Sequence, residues 1–136
     1  MGAWAHTPFG NDTAGDWAYE LSDAEGTSAI EAALDRVLDT AGDYLEAPEA
    51  EEAIAAIEVL ARLLGQGTEP AELPDSVAAW ITQHPGAASP ALRDKASRAI
   101  QRILGEESEL ADLWDEGGDD NAWRDNLAAL QRAMNG

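Results

Sequence analysis

The sequence predicts an all-α fold, a single compact domain spanning residues 1–136 with about seven short helices behind an irregular N-terminal arm. Three observations carry that prediction. Apolar residues recur at three- and four-residue spacing in segment after segment, the period of an amphipathic helix, and no alternating run is long enough for a strand. Valine and isoleucine, which favour strands, number only nine among the 136 residues. The length is that of one ordinary domain, and there is no internal repeat of solenoid period.

Asn11 or Asp12 can cap a first short helix bearing Trp17 and Leu21, which stops at the turn-like S-D-A-E-G of residues 22–26. Ser28 and Glu31 form an S-x-x-E capping box, and Ile30, Ala33, Leu34, Val37, Leu38, Ala41 and Leu45 follow as one apolar stripe. Pro48 sits where a first turn accepts proline. Ala50, Ile54, Ile57, Leu60, Ala61 and Leu64 then repeat until Gly65 supplies a stop. The glycine-rich G-Q-G-T-E-P of residues 65–70 reads as a loop, too short to link domains. The next helix carries Leu73, Val77, Trp80 and Ile81 and ends at His84-Pro85, because a residue ahead of proline is pushed out of helical geometry. Ser89 and Pro90 open another, striped by Leu92, Ala96, Ala99, Ile100, Ile103 and Leu104 up to Gly105. The last third holds two helices, one with Leu110, Leu113 and Trp114 and one with Trp123, Leu127, Leu130 and Met134, hinged at G-G-D-D-N (117–121).

Composition narrows the function more by exclusion than by assignment. Of the 45% hydrophobic residues, 28 are alanine, so the core is lean in large side chains. The absence of cysteine removes disulfides, thiolate zinc sites, iron–sulfur clusters and cysteine nucleophiles together. Twenty-seven acids against eight bases give a net charge of −19. A field of that sign repels DNA, RNA and anionic membrane surfaces, so neither nucleic acid nor membrane is an expected partner, and a basic protein is favoured. The start has neither the cation nor the apolar stretch of a signal peptide, and no run approaches about 18 apolar residues, so a cytoplasmic location is expected. His6 stands where a myristoylation motif wants Ser or Thr after Gly2.

No catalytic constellation emerges, which leans the reading away from an enzyme, and no cofactor or metal is expected. His6 and His84 lack the H-x-x-x-H spacing or a nearby thiolate. Gly65-Gln66-Gly67 follows a helix rather than a strand and fits neither phosphate-cradling pattern, and the serines lie in no nucleophile elbow. The acidic loop after Asp115 invites a calcium reading. Its spacing fails that reading, since Asp120 falls where an EF-hand needs glycine and Asn126 where it needs a bidentate glutamate.

One surface stands out. Glu31, Asp35, Asp39 and Asp43 recur every four residues from the helix that opens at Ser28, and like charges so spaced repel by roughly 0.2–0.5 kcal/mol per pair. They read either as a solvated face or as a partner-binding face. Glu49, Glu51, Glu52 and Glu58 are expected to thicken this patch, with Arg36 and Arg62 the only relief. Lys95, Arg98 and Arg102, with Arg93 nearby, form a basic stripe suited to salt bridges with the acidic half, whether internal or between subunits.

Five aromatics, Trp4, Phe9, Trp17, Trp114 and Trp123, lie in the terminal segments and suit a seam between the arm and the closing helices, or the lining of a pocket. The termini also carry a signature. M-G-A-W at 1–4, P-F at 8–9, N-D at 11–12, D-W at 16–17 and E-L-A-D-L-W-D-E at 109–116, with Trp123 and Leu127, resemble a bacterial family catalogued as domain of unknown function four-two-five-nine. The resemblance implies bacterial origin and a single small domain, and it supplies no activity and no catalytic residue. Where members often have glycine around positions 5–7 this chain has Ala5, His6 and Thr7, so His6 inherits no role.

The resulting expectation is a non-enzymatic acidic interaction module, in its most concrete version an immunity- or antitoxin-like inhibitor of a basic partner. The alternative is a small-ligand-binding protein or enzyme with its site near the tryptophan-rich termini. The sequence does not fix the oligomeric state.

Overall fold

The computed structural model describes residues 12–24, 26–40, 43–68, 73–105, 107–116 and 122–135. Those residues form seven helices: α1 (Asp12–Asp23), α2 (Ser28–Leu38), α3 (Ala47–Leu63), α4 (Asp75–Gln83), α5 (Pro90–Leu104), α6 (Glu109–Glu116) and α7 (Ala122–Asn135). The all-α expectation is met, and the described residues contain no strand, only an isolated parallel bridge between Leu45 and Ser108.

The lean, alanine-rich composition is explained by α3. Every residue from Ala50 to Ala61 except Glu52 is buried, and α3 packs against each of the other six helices. A helix covered on all sides must be apolar almost all round. Ala50, Ala53, Ala55, Ala56 and Ala61 keep its girth small enough for six neighbours to approach, while Ile54, Ile57, Val59 and Leu60 fill the space between them. Around it, α2 sits between α3 and α5, α1 between α3 and α4, and α7 against α5 and α3.

Local chemistry sets the helix ends. Ser89 Oγ accepts from Leu92 N at 3.2 Å, with Pro90 in the first turn. Gly65 adopts φ +77°, and the bonds Gln66 N to Ala61 O (2.8 Å) and Gly65 N to Arg62 O (3.0 Å) close a Schellman motif on α3. Two boundaries differ from expectation. The N-cap of α2 is Thr27, not Ser28, and the Thr27 hydroxyl donates to the Glu31 carboxylate at 2.7 Å in place of a reciprocal capping box. The helix also stops at Leu38 rather than running to Leu45. Thr40 donates from both its N–H (3.3 Å) and its hydroxyl (2.6 Å) to the Val37 carbonyl, turning the chain out of the helix.

Leu45 is buried all the same, through tertiary structure rather than helical periodicity. Its N–H donates to Glu107 O at 2.7 Å and its carbonyl accepts from Glu109 N at 2.9 Å. The Arg102 guanidinium fastens this seam, donating to Asp43 O (2.6 Å), Glu107 O (3.2 Å) and Thr40 O (3.4 Å). Among the described residues no helix is long and apolar enough to cross a membrane.

Candidate functional site

The four acids of the predicted partner-binding face end up in four different settings. Glu31 is exposed and bound to Thr27. Asp35 is half-buried and pairs with Lys95 of α5, Nζ to Oδ1 at 2.8 Å. Asp39 is exposed at the C-cap of α2, and Asp43 lies beyond the helix in the connector gripped by Arg102. Three of the four therefore share a helical line, and the fourth lies beyond the end of the helix.

Two of the four α3 acids do not join the outer layer expected of them. Glu58 is 0% exposed and Glu51 is buried, because both fall on the helix that every neighbour covers. Glu58 survives burial by satisfying its oxygens. The Thr68 N–H reaches Oε1 at 3.0 Å and Oε2 at 2.9 Å, the Thr68 hydroxyl donates to Oε1 at 2.6 Å, and Arg62 Nε donates to Oε2 at 3.2 Å. Asn126 of α7 donates in turn to the Thr68 hydroxyl at 2.7 Å. A buried charge that is both paired and hydrogen-bonded is the tolerated kind, and this one ties the loop at 65–68 and α7 to the central helix.

Burial lifts the remaining α3 carboxyls. Desolvation holds Glu49, Glu51 and Glu52 above the ordinary carboxylate value. For Glu51 the Thr13 hydroxyl opposes the rise and the Glu109 charge adds to it. For Glu52 the ion pair with Arg36 opposes the rise, while the charges of Glu20 and Glu49 add to it.

The basic stripe on α5 is largely spent inside the fold. Lys95 bridges to Asp35 on α2, Arg98 pairs with Asp94 on its own helix at 3.1 Å, and Arg102 holds backbone carbonyls. The internal salt bridge to the acidic half thus exists at Lys95.

A second acidic face, which the sequence reading passed over, lies on α1. Asp16, Glu20 and Asp23 are exposed, and Tyr19 beside them is 70% exposed. The spacing 16, 19, 20, 23 is that of one helical face, a signal available in the sequence but overshadowed by the longer run on α2. Between α1 and α2 lies a cleft of about 480 Å³. Its apolar lining comes from Trp17, Ala24, Ala29 and Ala32, and its polar lining from Glu20, Asp23, Ser28 and Arg36.

Two members of the expected aromatic cluster have side chains within the described residues. Trp17 and Trp123 are both buried, on α1 and α7, each of which packs on α3. The Arg124 guanidinium stands 6.0 Å from the centre of the Trp123 ring. Trp4, Phe9 and the side chain of Trp114 lie outside the described residues, as does the acidic loop at 117–121. Trp80 is also buried and stacks on His84 at 4.3 Å, so large aromatics are not confined to the termini. Among the described residues no group of three or more His, Asp or Glu is arranged to hold a metal ion.

No curated protein and no solved structure matches the chain. The sequence profile of one family does match, over residues 2–126 and so across nearly the whole length. The chain belongs to that family, the domain of unknown function DUF4259.

Proposed function

We propose that the protein is a non-enzymatic, acidic interaction module of the bacterial cytoplasm that presents carboxylates to a basic protein, most concretely as an immunity- or antitoxin-like inhibitor whose surface imitates the charge of nucleic acid. The observation that carries this reading is the exposure of Asp16, Glu20, Asp23, Glu31 and Asp39 on α1 and α2. Arg36 is the only base between residues 12 and 40, and it is already paired with Glu52. Repulsion among such acids costs stability, which a purely structural surface avoids by mixing signs.

The reading is tested by affinity capture from the native host with two baits, the parent protein and a Glu31→Lys/Asp39→Lys variant. A basic protein enriched by the parent and lost on the variant, and then bound directly when purified, supports it. A captured partner that is acidic or neutral and holds equally to both baits would contradict it. The alternative, a small-ligand site, draws on the cleft beside Trp17, and retention of a metabolite by the purified protein would favour it.

A further inference from the structure

We propose that the cleft between α1 and α2 is the docking point for an arginine-bearing segment of the basic partner. The proposal rests on the reading of the chain as an acceptor of a basic protein and assigns the contact point. An arginine side chain is an apolar stem ending in a planar, five-donor fork that matches carboxylates. The cleft offers complementary halves: Ala24, Ala29 and Ala32 for the stem, and Glu20 and Asp23 for the fork. Its volume of about 480 Å³ lies in the range of clefts that hold ligands, about 300–1,000 Å³.

Charge favours a cation here in spite of Arg36. That guanidinium is engaged by Glu52, while Glu20 and Asp23 line the same cleft, so its lining carries two acids against one base that is already paired. The excess negative charge is open to a second guanidinium. On the same helix as Glu20 and Asp23, Tyr19 is 70% exposed outside the cleft lining. A large aromatic left in water on an acidic helix is a residue type that anchors protein interfaces.

The test uses the full chain and a labelled oligoarginine peptide at low salt, with affinity read by fluorescence anisotropy. Glu20→Gln/Asp23→Asn and Ala29→Phe, which strip the charge and fill the space respectively, should each weaken binding by about tenfold or more. An Asp75→Asn/Asp125→Asn control removes as much charge from exposed positions on α4 and α7 and should cost less than about threefold. The Glu20/Asp23 pair is exposed, so that variant keeps the test valid if Ala29→Phe fails to fold. Equal losses for the cleft and control variants would overturn the cleft while leaving the acidic-module reading standing. A parent protein that does not bind the peptide at all would overturn both. Free arginine competing as well as the peptide, residue for residue, would mean a small-ligand site and overturn the docking of a segment.

Discussion

Glu58 shows how a residue can look like surface in the sequence and be core in the fold. With Arg62 four residues on, it reads as an exposed helical ion pair, yet the donors that satisfy it, Thr68 and through it Asn126, arrive by tertiary structure. The legible sign was its setting, a single acid within the otherwise apolar run from Ala53 to Ala61. Replacing Glu58 with Gln keeps the size but trades an acceptor for a donor facing the Thr68 N–H, and should cost about 1–3 kcal/mol in chemical denaturation. A parent-like midpoint would show that the network does not hold the loop. Gly67 belongs to the same latch, since a β-carbon there would collide with the Arg62 side chain and approach Glu58 Oε2 to 2.8 Å. Glu51 makes a pH prediction. Its folded value is raised, chiefly by burial, so the folded state binds its proton more readily than the unfolded chain. That contribution to stability is present below the ordinary value of 4.5 and is lost as pH rises through the elevated one. Acidifying from neutrality toward that value should therefore raise the melting temperature, and Glu51→Gln should reduce the rise. An undiminished rise in the variant would remove Glu51 from the account.

At the scale of the element, periodicity placed all seven helices, because each has a strongly one-sided or fully buried apolar pattern. It failed at the end of α2, where Thr40 and the Arg102 grip on Thr40 and Asp43 override a stripe that continues to Leu45. No local signal announces a guanidinium arriving from 59 residues away. The acidic stripe also becomes unequal once the helix is bounded. Asp39 sits at the carboxyl end of α2, where the helix dipole disfavours negative charge, so Asp39→Lys should stabilise the protein by about 0.3–1 kcal/mol. Asp35→Lys breaks the pair with Lys95 and sets two ammonium groups together, so it should destabilise. Thermal melts of the two variants moving in the same direction would show that net charge alone governs the surface. The cap of α5 is simpler, and Ser89→Ala should cost about 1 kcal/mol.

For the molecule as a whole, a net charge of −19 on 136 residues is held together by a central helix that six others cover. The composition disclosed the sign of the field and the thinness of the core, but not which acids the fold would bury. Of the α3 set, two of four left the surface, and the α1 face took their place beside α2. Self-repulsion of this size predicts that added sodium chloride raises the melting temperature through screening, and that the protein leaves duplex DNA and RNA unretarded in a gel shift at low salt. The most direct measurement of the central claim is the association rate with the captured basic partner, for the parent and for Glu31→Lys/Asp39→Lys, at low and high ionic strength. If the acidic face steers docking, the parent rate falls steeply with salt, and the variant associates more slowly at low salt and converges on the parent at high salt. A rate indifferent to both the reversal and the salt would contradict the claim.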